Sequence, residues 1–273
     1  MIMKNIYLPK IVKIKAVNDL SPTVKLFCVA NPFSKQSNGM YFIPGQFFLL
    51  GKIGYGEAPF GVLSSPYEKK YLEFAIRKAG NVTNYLHTLR AGGTIEIRGP
   101  YGNGFPLDFM KEKDVVLITG GCGIPPIAAL IEYIILYRQN FGNVYLLYGA
   151  KSPEELLLKD RFKKWERYIN IILTIDKPHP QWHGPVGFVS DLVKKIKINE
   201  LDAVAVMCGP GPMMDALEKI LRPLGISDRR IFVNIERKMQ CGIGKCQHCN
   251  CNKNYTCLNG PVFTYDEIEN AYD

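Results

Sequence analysis

The feature that most restricts the fold is a regular alternation of apolar strands and helical segments between residues 111 and 235. It begins with DVVLITGG, a continuous apolar run typical of a strand buried on both faces. Further strand-like stretches, NVYLLYGA, NIILTID, DAVAVMCGP and RIFVNIE, are separated by the helical segments PPIAALIEYIILYRQ, SPEELLLKDRFKKW, SDLVKKI and MMDALEKILRPLG. This alternation predicts right-handed β-α-β units on a doubly wound parallel sheet.

The residues before this region have a different pattern. Five short β-rich pieces, IVKIKAV, VKLFCVA, GQFFLLG, LEFAIRK and GTIEIRG, are separated by turn residues and predict a small antiparallel barrel or sandwich. The residues after it lack a core of their own and carry most of the cysteines. The sequence therefore predicts a β plus α/β chain with three parts: a barrel domain over 1–108, a parallel-sheet domain over 109–235 and a small segment over 236–273.

The cysteines of the last part have a spacing that indicates a metal centre. Cys241, Cys246 and Cys249 form a C-x4-C-x2-C pattern, and Cys257 follows after a further stretch. This is the plant-type arrangement of thiolates around a [2Fe–2S] cluster, with the fourth ligand more distant. Glycines in the first loop allow backbone conformations that aim amide N–H groups at the sulfurs.

Two alternatives remain open for these cysteines. Four thiolates also suit a structural zinc ion, although zinc sites usually come as two C-x2-4-C pairs and only one such pair is present. Cys251 could replace Cys249 or Cys257 as a ligand, but the turn that follows Cys257 suits the far ligand better.

Two glycine-rich turns follow predicted buried strands, ITGGCGIPP at 118–126 and MCGPGPMM at 207–214. Ligands of doubly wound sheets bind beyond the carboxyl ends of the strands, where free N–H groups and a helix dipole face an anion. Both turns should therefore lie at one edge, where they would hold a phosphate, although the first turn alone could equally be a tight strand-to-helix connection. Cys208 either contacts a bound ring or is a small buried residue. The candidate residues are Gly120, Gly121, Gly123, Ile124, Cys208, Gly209, Pro210 and Met213.

With these motifs, the chain resembles the ferredoxin–NADP reductase superfamily over almost its whole length. Within it, RGPYGNGFP, ERKMQCGIGKCQHC and GPVFTY are most similar to the gamma subunits of cytoplasmic sulfhydrogenases (hydrogenase/sulfur reductase). The B subunits of anaerobic sulfite reductases are nearly as similar, and the electron-transfer subunit of dihydroorotate dehydrogenase is a more distant relative. The resemblance implies FAD in the barrel and NADH or NADPH in the second domain.

The resemblance also implies which residues contact FAD. The segment 59–62 would lie along the flavin and the segment 76–83 would hold the pyrophosphate, with Arg77 supplying charge and Thr83 a hydroxyl. Relatives often have Arg and Ser where this chain has Ala58 and Gly61, so we expect more of the binding from backbone groups and Arg77. The implied FAD contacts are Pro59, Phe60, Gly61, Val62, Ile76, Arg77, Gly80, Val82 and Thr83.

These parts predict an electron-transfer subunit that links NAD(P)H, FAD and a [2Fe–2S] cluster to redox partner subunits of a larger complex. No side chain need act as an acid or base, so we expect no catalytic residue. A non-catalytic scaffold protein with a zinc tail is the alternative from another class.

Asp176 favours NADH and Lys151 favours NADPH, which leaves the nucleotide open. The apolar residues Pro261, Val262, Phe263 and Tyr265 either dock the partner or pack back on the second domain.

Charge and hydropathy exclude other classes. The formal net charge is +9, but the lysines are spread along the chain and no basic run alternates with stacking aromatics, which argues against nucleic-acid binding. No uninterrupted apolar run reaches the length of a membrane span, and no secretory signal is recognisable at the start. We therefore expect a cytoplasmic protein with reduced thiols.

Overall fold

The computed structural model describes residues 5–199 and 202–268. The ends of the predicted first and last domains, residues 1–4 and 269–273, lie outside the described part. The fold class is confirmed: an antiparallel, barrel-like sheet comes first, a parallel-rich sheet with helices follows, and a small cysteine-rich segment ends the chain.

Six antiparallel strands form the first sheet, in the order β4-β3-β6-β1-β2-β5. Its aromatic core contains Phe27, Phe48 and Phe74, all fully buried. The sequence missed β4, because GEAPFG has no alternating apolar residues and is only partly buried, and it missed the short helix α1. The elements are β1 Lys10–Ser21, β2 Val24–Ala30, β3 Phe47–Lys52, β4 Gly56–Gly61, β5 Tyr71–Arg77, α1 Asn81–Leu86 and β6 Thr94–Tyr101.

The second sheet has the order β14-β11-β10-β7-β8-β9, with five parallel strands and one antiparallel edge strand, β14. From β7, the strands β8 and β9 follow on one side of the sheet, and β10 and β11 lie on the other side. Because β7 and β10 are parallel neighbours, the turns after these two strands lie side by side. The strands are β7 Val115–Gly120, β8 Val144–Ala150, β9 Asn170–Ile175, β10 Val204–Cys208, β11 Ile231–Asn234 and β14 Val262–Thr264.

Helices cover both faces of this sheet, as the doubly wound prediction requires. Helices α2 and α3 pack on one face, and α4 packs on the other with a 3-10 helix, Val189–Lys195. Two helix predictions need correction. The segment SPEELLLKDRFKKW forms a 3-10 turn, Pro153–Glu155, and becomes α-helical as α3 only after Leu158, whose φ of 59° is left-handed. The segment SDLVKKI forms the 3-10 helix named above. The α-helices are α2 Ile124–Leu136, α3 Lys159–Trp165 and α4 Gly211–Leu221.

The C-terminal segment forms a short hairpin of β12 Asn250–Cys251 and β13 Asn254–Tyr255, followed by β14 and by α5 Tyr265–Ile268. Strand β14 pairs with β11, and Phe263 is buried with Tyr265 in the core beneath α4. The interpretation of these apolar residues as a docking surface is therefore wrong, and they pack back on the parallel sheet. No helix among the described residues is both long and apolar enough to cross a membrane.

Candidate functional site

The two glycine turns meet at the carboxyl edge of the parallel sheet, beside a cavity of about 750 Å³. Thr119 Oγ1 donates a hydrogen bond of 2.8 Å to the carbonyl oxygen of Cys208 and so joins the ends of β7 and β10. A Cβ atom at Gly123 would overlap that same carbonyl group. Gly123 is therefore required for contact between the two turns, and the cavity lies above them.

The side chain of Met213 occupies the space where two further glycines of the predicted nucleotide site would carry a side chain. A Cβ atom at Gly120 would lie 2.9 Å from Met213 Sδ, and one at Gly209 would lie 2.6 Å from Met213 Cε. Both glycines leave room for this methionine at the start of α4. Gly121 differs, because its φ of 52° is left-handed and its missing side chain would point towards Arg77, into the cavity.

The predicted nucleotide residues lie together around this cavity, with one exception. Gly120, Gly121, Gly123, Cys208, Gly209, Pro210 and Met213 all line it. Ile124, the first residue of α2, is fully buried in the hydrophobic core and is not among the residues that line the cavity. Burial raises the pKa of Cys208 well above its usual range, which keeps the thiol neutral.

Three ionisable groups, Arg77, Cys122 and Glu236, line the cavity. Burial raises the pKa of the Cys122 thiol, and the nearby Arg77 guanidinium, from the antiparallel sheet, opposes that shift. Glu236, two residues after the end of β11, is exposed to the same cavity. The protein around its carboxyl group raises the pKa of Glu236, while the nearby Arg77 opposes that shift. Sequence reasoning missed Glu236 and Cys122, although both stand at strand ends on the predicted binding edge.

The predicted flavin strand β4 contacts the nucleotide edge directly. A Cβ atom at Gly61 would lie 3.2 Å from Cδ of Pro126, at the start of α2. Pro59, Phe60 and Gly61 are half-buried and remain accessible from this junction, whereas Val62 is buried in the barrel core. The absence of a side chain at Gly61 thus lets the barrel approach the second sheet closely.

The segment predicted to hold the FAD pyrophosphate is ordered by its own threonine. Thr83 Oγ1 accepts hydrogen bonds from the N–H groups of Ala79 (2.8 Å) and Gly80 (2.9 Å) and donates one to the Gly80 oxygen (3.0 Å). These bonds use the whole capacity of a hydroxyl. Here Thr83 shapes the turn, and phosphate contact through its side chain stays a prediction. Ile76 is fully buried in the barrel core, and Val82 lies beside Gly56, the first residue of β4.

A second cavity of about 580 Å³ adjoins this segment. It lies between the β3–β4 turn and the outer face of α1, where Asn81 and Asn84 line it. The rings of Tyr55 and Tyr85 stack there with centroids 3.8 Å apart and planes inclined by 19°. Flat aromatic surfaces beside amide groups suit a nucleobase.

The cysteine loop directs backbone N–H groups at its own sulfurs. Cys241 Sγ accepts hydrogen bonds of 3.4 Å from the N–H groups of Ile243, Lys245 and Cys246. Gly244 N–H donates to Cys257 Sγ at 3.1 Å. Burial disfavours the Cys241 thiolate, but the hydrogen bonds from Ile243 and Cys246 outweigh burial and lower its pKa to about 6. The loop therefore stabilises the thiolate of Cys241, whereas burial, with Cys249 beside it, raises the pKa of Cys257 to about 12.

The four predicted ligands form two pairs. The Cys241 and Cys246 side chains are within hydrogen-bonding distance of each other, as are those of Cys249 and Cys257. Cys251 points elsewhere, into the core with Phe263, where it meets the Arg237 guanidinium. Among the described residues no three His, Cys, Asp or Glu side chains surround a single ion position. The four predicted ligands are therefore divided into two pairs of thiols, and the choice between a cluster and zinc stays a prediction.

The antiparallel sheet supports the cysteine loop from below. Cys249 and Cys257 pack with Phe47 and Leu49 of β3 and with Met239. Arg98, which is almost fully buried and paired with Glu57 at 2.6 Å, donates to the carbonyl oxygen of Cys241 at 3.3 Å. Leu49 is also the register partner of Pro59 on β4. One strand thus separates the cysteines from the predicted flavin strand.

Comparison with protein families divides the chain in the same order. Residues 11–105 match the oxidoreductase FAD-binding domain, and residues 117–219 match the oxidoreductase NAD-binding domain. Residues 236–269 match the iron–sulfur cluster binding domain of dihydroorotate dehydrogenase B. Sulfhydrogenase 1 subunit gamma of Pyrococcus furiosus is 35% identical over 94% of this chain and 91% of its own length. The chain belongs to this family of ferredoxin–NADP reductase-like electron-transfer subunits.

Other members and structures agree with this assignment. A probable electron-transfer subunit of dihydroorotate dehydrogenase B from Thermococcus kodakarensis is 32% identical over 95% of this chain and 97% of its own length. The structure of the NADH-dependent reduced ferredoxin-NADP oxidoreductase superposes with a TM-score of 0.74, covering 100% of this chain and 94% of that one. At 24% identity this last likeness supports the fold alone.

Proposed function

We propose that this electron-transfer subunit passes electrons between NAD(P)H and a partner subunit of the hydrogenase or sulfur reductase type, through FAD and a [2Fe–2S] cluster. The observation that carries the proposal is the position of the cysteine loop. It is built on β3, the strand next to the predicted flavin strand, and the predicted nucleotide edge meets that flavin strand at Gly61 and Pro126. Three predicted cofactor sites therefore adjoin one another.

When bound, FAD would accept a hydride from the nicotinamide and release electrons singly to the cluster. The chain's residues position these groups and shield them. The glycine turns offer backbone N–H groups and space at the cavity, and Arg77 supplies positive charge at the junction of both nucleotide sites. Pro59 and Phe60 offer an apolar surface for a ring, and Tyr55 and Tyr85 offer a stacking surface for an adenine.

In the cysteine segment, Cys241, Cys246, Cys249 and Cys257 would hold the cluster. The N–H groups of the loop donate to the Cys241 and Cys257 sulfurs, and with the cluster bound they would offset part of the thiolate charge. The division into two thiol pairs supports two irons, each bound by two cysteines. Cys251 has no part in this set, because its thiol is enclosed in the core beside Arg237.

Two charged residues that line the cavity bear on the choice between NADH and NADPH. Lys151 follows β8 and Asp176 follows β9, and both line the cavity. A carboxylate accepts hydrogen bonds from a free ribose, whereas a cation binds a 2′-phosphate. Both groups stand where a ribose would lie, so the nucleotides have to be compared directly.

A second candidate is an electron-transfer subunit of a dihydroorotate dehydrogenase. The match of residues 236–269 to the iron–sulfur domain of dihydroorotate dehydrogenase B favours it. The two candidates share the cofactors and differ in the partner. Native purification under anaerobic conditions separates them, because a hydrogenase-type catalytic subunit or an orotate-type catalytic subunit copurifies with the chain.

The cofactor chain itself is tested on the isolated protein. We expect about one FAD and two irons per chain and an electron paramagnetic resonance signal of a reduced [2Fe–2S] centre after addition of NADH or NADPH. Bleaching of the flavin should precede the appearance of this signal. A colourless protein with one zinc per chain would overturn the proposal.

A further inference from the structure

A buried ion pair crosses the antiparallel sheet beneath the cysteine loop. Arg98 of β6 is 6% exposed, and its guanidinium meets the carboxylate of Glu57 on β4. The Nε–Oε1 distance is 2.9 Å and the Nη2–Oε2 distance is 2.6 Å, which is the forked geometry of a strong arginine–carboxylate pair. Strand β3 lies between β6 and β4. The ion pair therefore joins the two neighbours of the strand on which the cysteines pack.

The same guanidinium holds the start of the cysteine loop. Its Nη1 atom donates to the Cys241 carbonyl oxygen and to the Tyr101 hydroxyl, both at 3.3 Å. Its Nη2 atom donates to the Gln240 carbonyl oxygen at 3.5 Å. Together with Glu57, these groups provide an acceptor for each of the five N–H groups of Arg98. No other side chain offers five donors in one plane, so any substitution of Arg98 leaves some of these acceptors without a partner.

The charge of Arg98 is better placed to act on a cluster than the exposed charges of the loop. Water and salt screen the exposed Lys245, whereas charges surrounded by protein, as Arg98 is, are screened much less. The ion pair is neutral as a whole, but it is oriented. The guanidinium contacts the backbone of Gln240 and Cys241, whereas the hydrogen bonds of the Glu57 carboxylate go to Arg98 alone within the part of the chain that the structure describes. The positive end of the pair therefore faces the loop.

We propose that Arg98 is a positioning residue, which fixes the start of the cysteine loop to the predicted flavin strand and whose charge raises the reduction potential of the [2Fe–2S] cluster. This rests on the proposed function, because the charge acts on the cluster that the loop would hold. A cluster gains one negative charge when it is reduced, and a nearby cation favours that state. Glu57 opposes this effect, since its carboxylate offsets part of the arginine charge. A purely structural role of the pair would not give its two members opposite effects.

Potentiometric titration of the flavin- and iron-loaded protein tests this assignment. The protein is reduced stepwise with dithionite in the presence of redox mediators, and the electron paramagnetic resonance signal of the reduced cluster gives the potential. The variants are Arg98→Met, Arg98→Lys and Glu57→Gln. The matched control is Arg161→Met, which breaks the 2.7 Å pair of Arg161 with Glu73 on β5, at the opposite edge of the antiparallel sheet from β4. Iron content and the shape of the signal are recorded for every variant.

We expect Arg98→Met to lower the potential and Glu57→Gln to raise it, because the two substitutions remove charges of opposite sign. Each shift should change the equilibrium between the two oxidation states about tenfold, which is about 59 mV for a one-electron couple. Arg98→Lys keeps the charge, so its potential should stay close to that of the unmodified protein, while a broadened signal reports a less ordered loop. Arg161→Met should match the unmodified protein in both respects.

Shifts of Arg98→Met and Glu57→Gln in the same direction, no shift in Glu57→Gln, or an equal shift in Arg161→Met would overturn the assignment. If Arg98→Met binds no iron, the comparison of Glu57→Gln with Arg98→Lys decides in the same way, since both keep a cation at position 98. Absence of a [2Fe–2S] signal from the unmodified protein would instead contradict the proposed function, and the role of Arg98 would fall with it.

Discussion

At the residue scale, the two pairs of thiols make a sharp prediction about the cluster. Replacement of Cys246 by Ser removes one thiolate of the Cys241–Cys246 pair, and a neutral hydroxyl is a poor ligand for iron. We expect the Cys246→Ser variant to lose its iron and to lose electron transfer to a protein acceptor. Reduction of its flavin by nicotinamide should remain. Iron analysis and stopped-flow absorbance measure the two properties separately.

Cys251→Ser is the matched control for this experiment. Its side chain is buried with Phe263 and next to Arg237, so the variant should keep both irons. Retention of two irons in Cys246→Ser, or their loss in Cys251→Ser, would show that the ligand set is different. The sequence leaves Cys251 a candidate because it stands only two positions from Cys249, and the side of the hairpin on which each thiol packs depends on contacts with β11 and β14 that spacing does not encode.

The tyrosine pair leads to a second prediction at this scale. Tyr85→Ala removes one ring of the stack beside the second cavity, where we place the adenine of FAD. Base stacking on an aromatic side chain contributes about 1–3 kcal/mol, so the Kd of the apoprotein for FAD should rise roughly fivefold to a hundredfold. FMN lacks the adenine, and its Kd should not change. Fluorescence titration measures both.

Tyr168→Ala is a suitable control for this titration, because Tyr168 is 43% exposed and lies outside both cavities. An equal loss of FAD and FMN affinity in Tyr85→Ala would mean that the change disturbs α1 instead of the adenine. The pair was not predictable from the sequence, since Tyr55 and Tyr85 come from elements that the pattern analysis missed.

At the scale of elements, β14 joins the cysteine segment to the parallel sheet. Phe263 is 2% exposed and packs against the β11 side of the core. Phe263→Ala should reduce the free energy of unfolding by about 3–5 kcal/mol through lost apolar contact and the cavity that remains. Urea denaturation followed by circular dichroism gives the midpoint. Leu136→Ala, at an exposed position, should cost less than about 1 kcal/mol.

A shift of the Phe263→Ala midpoint no larger than that of Leu136→Ala would indicate that β14 detaches readily and that the segment is only loosely joined.

The pairing of β14 with β11 could not be predicted from sequence patterns. The strands β2, β7, β8 and β10 follow from apolar runs, whereas β14 has only three residues and its partner, β11, is distant in the chain. Short strands that form by tertiary pairing leave almost no local signal.

At the scale of the whole molecule, the sequence predicts the order of the three parts but not how they meet. The junction depends on single contacts between distant residues. Arg161 of α3 binds Glu73 of β5 at 2.7 Å, and Asn234 donates to the Gly45 carbonyl oxygen at 3.1 Å. Glu236 and Arg77 come together only because the two sheets dock in this orientation. Such contacts have no periodicity, so pattern analysis does not find them.

The close approach of Gly61 to Pro126 supplies the last prediction. A methyl group at Gly61 would lie 3.2 Å from Pro126 Cδ, tighter than ordinary van der Waals contact, and the branches of valine would require still more space. Because Gly61 stands on the predicted flavin strand and Pro126 on the nucleotide turn, Gly61→Val should move the two cofactor sites apart. A displacement of about 1 Å between reacting groups can slow a reaction roughly a hundredfold.

Stopped-flow bleaching of the flavin at saturating NADH or NADPH should therefore slow by about tenfold to a hundredfold in Gly61→Val, with Gly61→Ala intermediate. Dinucleotide affinity and iron content should remain unchanged, since neither the cavity nor the cysteine loop is altered. A normal rate in Gly61→Val would mean that hydride transfer does not take place across this contact.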